Sequence, residues 1–156
     1  MRRARNYKRD IPEDPIYKHK LVTKLINRAM RDGKRSTAQR EVYGAFEAIS
    51  KEGEPLQLFL KAVENIKPSM EVRPRRIGGA AYQVPSPVRG IRKEALAIRW
   101  LILAANTRPN SQYKTFASKL AAEIKDAATN SGGAIAKKVE IERVAEANRA
   151  FAHFKW

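Results

Sequence analysis

The sequence contains no cysteine, only two histidines, and half as many acidic residues as basic ones. Without cysteine the chain can form no disulfide bond, no thiolate metal site and no thiol nucleophile. His19 and His153 lie at opposite ends of the sequence, and neither belongs to a metal-binding or catalytic-triad spacing. We therefore predict that the protein is not an enzyme and that it uses no metal and no cofactor.

Long apolar runs are also missing from the sequence. No stretch approaches the length of about 18 apolar residues that a membrane-spanning helix needs. The first ten residues are basic and lack the apolar segment of a secretory signal peptide. We therefore expect a cytoplasmic protein with no membrane partner, although an anionic membrane surface stays the second candidate for its positive charge.

Positive charge is what the sequence has in excess. Its 156 residues include 32 Lys and Arg against 16 Asp and Glu, giving a formal net charge of +16. Hydrophobic residues make up 43%, which is enough for a folded core. We predict a single domain over residues 1–156 whose main partner is a polyanion, with nucleic acid as the first candidate.

Residues 70–88 contain three prolines, and a fourth, Pro68, lies just before them, so this part of the chain cannot form a helix. Gly78 and Gly79 tolerate the positive φ angles that a tight hairpin turn requires. The stretch therefore predicts a two-stranded β-hairpin arm, in which arginines could bind phosphates and an aromatic ring could stack on a base. An ordinary surface hairpin with solvated arginines is the alternative. The residues concerned are Arg73, Arg75, Arg76 and Tyr82.

Apolar residues recur at helical spacing on both sides of this hairpin. We predict a mainly α fold, a six-helix single domain with a projecting β-hairpin between the third and fourth helices. Basic residues at the start of the fourth helix, Arg89, Arg92 and Arg99, would lie beside the base of the hairpin. The predicted helices span about 17–32, 36–51, 55–67, 91–106, 112–129 and 134–151.

Residues 1–17 form a basic extension in which Pro12 and Pro15 oppose an early helix. Five of its first nine residues are Arg or Lys. We predict an N-terminal arm that folds onto RNA, and a merely disordered terminus is the alternative.

Four segments of the sequence resemble one known family. Residues 71–85, Glu-Val-Arg-Pro-Arg-Arg-Ile-Gly-Gly-Ala-Ala-Tyr-Gln-Val-Pro, closely resemble the hairpin of the bacterial small-subunit ribosomal protein seven family. Residues 25–34, 97–101 and 145–154 resemble its other signatures. The four matches follow one another in order and span nearly the whole chain, so together they are highly specific.

The resemblance implies a structural role in the ribosome. Proteins of this family bind the 3′ major domain of 16S ribosomal RNA and nucleate assembly of the head of the small subunit. Their hairpin lies near the exit-site tRNA and the messenger RNA path, which here would place Gly78 and Gly79 near that tRNA. Ribosomal proteins nine and eleven are the expected protein neighbours.

The resemblance also adds contacts to those chosen from charge alone. It implies RNA contacts by the N-terminal basic residues, by the two basic residues after the first helix, and by the hairpin arginines. The predicted RNA-binding residues are Arg2, Arg3, Arg5, Lys8, Arg9, Lys34, Arg35, Arg73, Arg75, Arg76, Tyr82, Arg89, Arg92 and Arg99.

The competing class is an architectural DNA-binding protein, which can also use a basic β-ribbon. Such ribbons carry an apolar wedge near the tip, whereas this one has glycines there and Pro74 in the middle of its first arm. A titration comparing duplex DNA with structured RNA would separate the two classes.

Overall fold

The computed structural model describes residues 10–51 and 53–154, and it confirms the mainly helical fold with one hairpin. Two strands, β1 (Met70–Ile77) and β2 (Ala80–Pro87), form an antiparallel ribbon between the third and fourth helices. A short 3₁₀-helix, Arg149–Phe154, ends the described chain. The α-helices are α1 (Lys20–Ala29), α2 (Arg35–Ser50), α3 (Pro55–Ile66), α4 (Gly90–Thr107), α5 (Phe116–Ala128) and α6 (Gly133–Ala147).

The apolar stripes of the helices meet in one core. Helix α5 packs against α2, α3, α4 and α6, and α4 packs in addition against α1 and α3. The sequence of α4 is apolar nearly all round, which predicts a central position, but Leu103 on its outer side is 55% exposed. One face of α4 thus stays at the surface, and α5 shares the central place. Fully buried side chains from five helices fill the core, among them Phe46, Phe59, Ile26, Leu101 and Leu120.

The N-terminal extension is shorter than predicted, because residues from Asp14 onward belong to the folded body. The buried carboxylate of Asp14 accepts hydrogen bonds from the amides of Ile16 and Tyr17 and from the Tyr43 hydroxyl. The Tyr17 ring packs edge-on against Phe46 with centroids 4.8 Å apart. Helix α1 then begins at Lys20 rather than at residue 17.

Two further helix boundaries differ from the sequence prediction. Helix α5 begins at Phe116 instead of residue 112, because Thr115 and Ser118 form a capping box at its start. Helix α6 ends at Ala147, and the chain tightens into the 3₁₀-helix where a continuous helix to residue 151 was expected. At the end of α6 the Asn148 side chain donates a hydrogen bond to the Val144 carbonyl. Hydrophobic spacing does not indicate such bonds between short polar side chains and the backbone.

The ribbon turns at Gly78 and Gly79, whose φ angles of 57° and 90° confirm the predicted use of glycine. In the observed register Ile77 pairs with Ala80, and each residue of β1 faces one residue of β2. The hydrogen bond from the Val88 amide to the Ser69 carbonyl continues this ladder past the strand ends.

That ladder explains how the ribbon accommodates three prolines. Hydrogen-bonded and non-hydrogen-bonded pairs alternate along antiparallel strands. Counting from the bonded pair of Ser69 and Val88, we find Pro74, Pro85 and Pro87 all in non-bonded pairs. Their missing N–H groups would have pointed outward, so no ladder bond is lost and both open edges present fewer donors to other strands.

Candidate nucleic-acid interface

A concave surface lies between the ribbon and the start of α4. It is an open cleft of about 970 Å³. Because α4 begins immediately after β2, the strand end and the first turns of the helix form adjoining walls of this cleft. Four of the predicted arginines line it, namely Arg73, Arg75, Arg89 and Arg92.

The two walls supply these arginines in different ways. Arg73 and Arg75 are two residues apart on β1, so they project from the same face of the ribbon. Arg76 is exposed but projects from the opposite face, outside the cleft. The ribbon therefore presents positive charge on both faces, with the greater part toward α4.

Glu71 is a buried acidic residue that contacts two arginines of the cleft lining, and its side chain is 7% exposed. It accepts hydrogen bonds from Arg73 Nε at 2.7 Å and from Arg92 Nε at 2.7 and 2.9 Å. Burial raises the pKa of Glu71, but the hydrogen bonds from Arg92 and Arg73 outweigh it, so the pKa lies below its ordinary value. Both arginines are predicted RNA ligands, and the acid that joins them was not predicted from the sequence.

The start of α4 adds the remaining charge of the cleft wall. Arg89 is the N-cap residue of this helix, with extended backbone, and no side chain caps the helix there. The first amides of α4 therefore add unpaired donors of the kind that favour anions. Arg99 is exposed about two turns beyond Arg92 on the same side of the helix, outside the cleft itself.

Lys34 and Arg35 lie at a second basic surface, where α1 passes into α2. Both side chains are exposed. Lys34 lines a smaller pocket of about 300 Å³ together with Arg28 and Arg31. The sequence analysis did not select those two arginines as contacts. Their position off the apolar stripe of the first helix, three residues apart, is the signal that could have found them.

Tyr82 has an intramolecular role that the sequence did not predict. Its ring packs between two aromatic rings of the 3₁₀-helix, with centroid distances of 5.3 Å to Phe151 and 5.2 Å to Phe154. This packing fixes the second strand against the C-terminal segment. A stacking contact between Tyr82 and a base stays a prediction, and it would have to use the part of the ring that remains exposed.

The other predicted site residues divide into two groups. The turn formed by Gly78 and Gly79 is open, since a side chain built on either glycine would meet no atom within 4 Å. The N-terminal basic residues, Arg2, Arg3, Arg5, Lys8 and Arg9, lie outside the described residues.

Neither histidine takes part in a polar cluster typical of catalysis. The His19 ring caps α1 by accepting a hydrogen bond from the Leu21 amide, and the His153 ring contacts the Ala150 carbonyl. Within residues 10–51 and 53–154, no group of three or more acidic, histidine or cysteine residues could hold a metal ion. No helix in that part of the chain has the length and apolar character to cross a membrane.

Comparison with known proteins gives one consistent result. The family model described as ribosomal protein S7p/S5e matches residues 1–149. The chain is 52% identical over 158 aligned positions to small ribosomal subunit protein uS7 of Thermotoga neapolitana, with all of both chains covered. It is 54% identical to the protein of the same name from Caldicellulosiruptor bescii, covering 96% of this chain and 95% of that protein.

Proposed function

Because the chain belongs to the S7p/S5e family of ribosomal proteins, we propose that it binds the 3′ major domain of 16S ribosomal RNA as a primary binding protein. Membership makes it a structural component of the small ribosomal subunit that binds ribosomal RNA, as the sequence predicted. The proposal concerns which part of that RNA it holds, and with which residues. The family is one of structural proteins and not of known enzymes.

The arginine-lined cleft between the ribbon and α4 is the observation that supports this proposal. Guanidinium groups bind phosphate oxygens through two parallel hydrogen bonds, and Arg75 and Arg89 present theirs from the two adjoining walls. The cleft lies next to the uncapped start of α4. An RNA strand in the cleft would therefore meet charge from two rigid elements, with the second basic surface around Lys34 holding a further segment.

Three further roles belong to the same proposal. Binding of the 3′ major domain by this chain would nucleate assembly of the subunit head. The open turn at Gly78 and Gly79 would approach the exit-site tRNA and the messenger RNA path. Proteins nine and eleven of the small subunit would be its protein neighbours. The supporting observation is the resemblance of residues 71–85 to the family's hairpin, and the shape of a thin, uncharged tip.

The proposal is tested by titrating the protein with a transcript of the 3′ major domain and with duplex DNA of equal length. We expect tight binding of the transcript and weaker binding of the duplex, since the ribbon tip has no apolar wedge. Replacing Arg75 and Arg89 with alanine should weaken transcript binding about tenfold or more, as charge-assisted hydrogen bonds are lost. The matched control replaces Lys51, at the C-terminal cap of α2, and Lys61, on α3, with alanine; both lysines are exposed.

Salt dependence gives a second measure of the same proposal. Log affinity should fall steeply with log salt concentration, and loss of two phosphate contacts should reduce the slope by about 1–2. Equal loss of affinity in the lysine control would mean that total charge, not the cleft, determines binding. Preference for the duplex would instead favour the architectural DNA-binding class.

A further inference from the structure

We propose that Glu71 is a positioning residue for RNA binding, which orients Arg73 and Arg92 in the lining of the cleft. This inference rests on the proposed function of the cleft. According to this proposal the acidic residue strengthens the binding of RNA, whereas its negative charge alone would weaken it.

The geometry places Glu71 between two elements that bear the cleft's arginines. Its side chain is only 7% exposed, while the Arg73 and Arg92 side chains are 53% and 50% exposed. Arg73 comes from β1, two residues along the same strand face, and Arg92 comes from the first turn of α4. One buried anion therefore links the ribbon to the helix through two half-exposed cations.

The pattern of donors leaves both arginines free to bind a second anion. A guanidinium has five N–H donors, and the hydrogen bonds from Arg92 to Glu71 use only Nε. Its two terminal nitrogens thus carry four further N–H groups. Arg73 uses Nε and approaches Glu71 with Nη2 at 2.5 Å, which leaves the donors of Nη1. Both residues line the cleft.

The carboxylate also makes the approach of the two cations favourable. Without the Glu71 carboxylate, the two guanidinium groups would repel each other, and their long side chains would sample other rotamers. Held by Glu71, they lose less conformational freedom when a phosphate binds, and preorganisation of this kind strengthens binding. A bound phosphate would meet two oriented forks instead of two mobile chains.

The test uses the full-length chain, the 3′ major-domain transcript and the variant Glu71→Gln. General electrostatics predicts tighter binding, because the variant gains one unit of net positive charge. Positioning predicts binding weaker by about tenfold, which corresponds to the loss of one well-formed charge-assisted contact. The matched control is Glu140→Gln, which removes an exposed carboxylate that pairs with Lys137 on α6 and should leave affinity unchanged or slightly tighter.

A second arm separates positioning from a general effect on folding. In a background carrying Arg73→Ala and Arg92→Ala, the Glu71→Gln change should alter affinity less than twofold, because the residues through which Glu71 acts are absent. A loss that persists in this background overturns the proposal, as does equal or tighter binding by Glu71→Gln alone. Normal transcript binding by the Arg73→Ala, Arg92→Ala variant also overturns the proposal. The proposed function of the cleft is tested separately, by replacing Arg75 and Arg89 with alanine.

Discussion

Glu142 on α6 accepts two hydrogen bonds from Ser69, one from the backbone N–H at 2.8 Å and one from the hydroxyl at 2.7 Å. Ser69 immediately precedes β1, so this contact fastens the entry of the ribbon to the last long helix. We expect Glu142→Ala to lower the free energy of unfolding by about 1–2 kcal/mol, measured by urea denaturation. The control Glu140→Ala removes only an exposed ion pair with Lys137 and should cost about 0.5 kcal/mol or less. Equal losses in the two variants would contradict the anchoring role.

Acidification should lower the stability of the protein by protonating Glu71 and Glu142, whose carboxylates hold the ribbon to the helices. Burial raises the pKa of Glu71 and of Glu142, but hydrogen bonds from the arginines and from Ser69 outweigh it, and both pKa values lie below the ordinary 4.5. A carboxyl whose pKa is lowered by folding stabilises the protein above its unfolded-state pKa, and this stabilisation is lost as pH falls through the folded-state value. We therefore expect the urea midpoint to decrease below about pH 4.5. In a Glu71→Gln, Glu142→Gln variant this decrease should be shallower, and an unchanged slope would refute the linkage.

The N-terminal extension should divide into two parts with different effects. Deleting residues 1–9 should leave the melting temperature nearly unchanged and weaken RNA binding, because this part is strongly basic. The substitution Asp14→Ala should destabilise the fold by about 1–3 kcal/mol, since it leaves the Tyr43 hydroxyl without its acceptor. Thermal melts and RNA titrations of both variants provide the measurement. Unfolding caused by the deletion would show that the basic part belongs to the body.

The aromatic cluster of Tyr82, Phe151 and Phe154 should stabilise the second strand of the ribbon. Phe154→Ala removes one of the two rings that pack against Tyr82, and we expect faster amide hydrogen exchange in β2 with the helical body unchanged. Tyr82→Phe keeps the ring and removes the hydroxyl, so it should leave exchange unaltered. If Tyr82→Phe weakens transcript binding while exchange is unchanged, the tyrosine contacts RNA through its hydroxyl and the cluster is not its only role.

The sequence predicted the elements of this fold better than the contacts between them. Helical periodicity, four prolines and a Gly-Gly turn are local signals, and they identified six helices and the ribbon with its tip at Gly78 and Gly79. The arginines of the cleft could also be predicted from the sequence, because they were selected by their charge. The strand period of two is likewise sufficient to predict that Arg73 and Arg75 share one face of the first strand.

The contacts that could not be predicted from the sequence join residues that lie far apart in the chain. Glu71 meets Arg92 across 21 positions, and Glu142 meets Ser69 across 73, so no local pattern announces either pair. Arg108 provides a further example at the core, where it pairs with the fully buried Glu123, whose carboxylate also accepts the Ala134 amide at the start of α6. Buried acids that organise basic residues can be recognised only once the tertiary contacts are known.

The tip of the ribbon and its arginine-bearing strand should have separable functions. Deleting Arg76, Ile77, Ala80 and Ala81 would bring the Gly-Gly turn next to the pair of Arg75 and Tyr82. Arg75 and Tyr82 form a hydrogen-bonded pair, as do Ile77 and Ala80, the pair that flanks the turn in the full-length ribbon. The geometry of the turn is therefore kept. The ribbon becomes shorter by about 7 Å. The matched control is Arg76→Ala, which removes the same charge at full length.

We expect the shortened protein to fold normally, because the tip makes few apolar contacts, and to bind the transcript as well as Arg76→Ala does. What should change is behaviour at the exit site, measured as tRNA release or reading-frame errors of reconstituted subunits. Replacing both Arg75 and Arg76 with alanine should instead weaken transcript binding, since each well-formed charge-assisted bond contributes about 1.5–3 kcal/mol. If the shortened ribbon loses affinity as severely as that double variant, the ribbon is one continuous RNA-binding surface, and its tip has no separate part in translation.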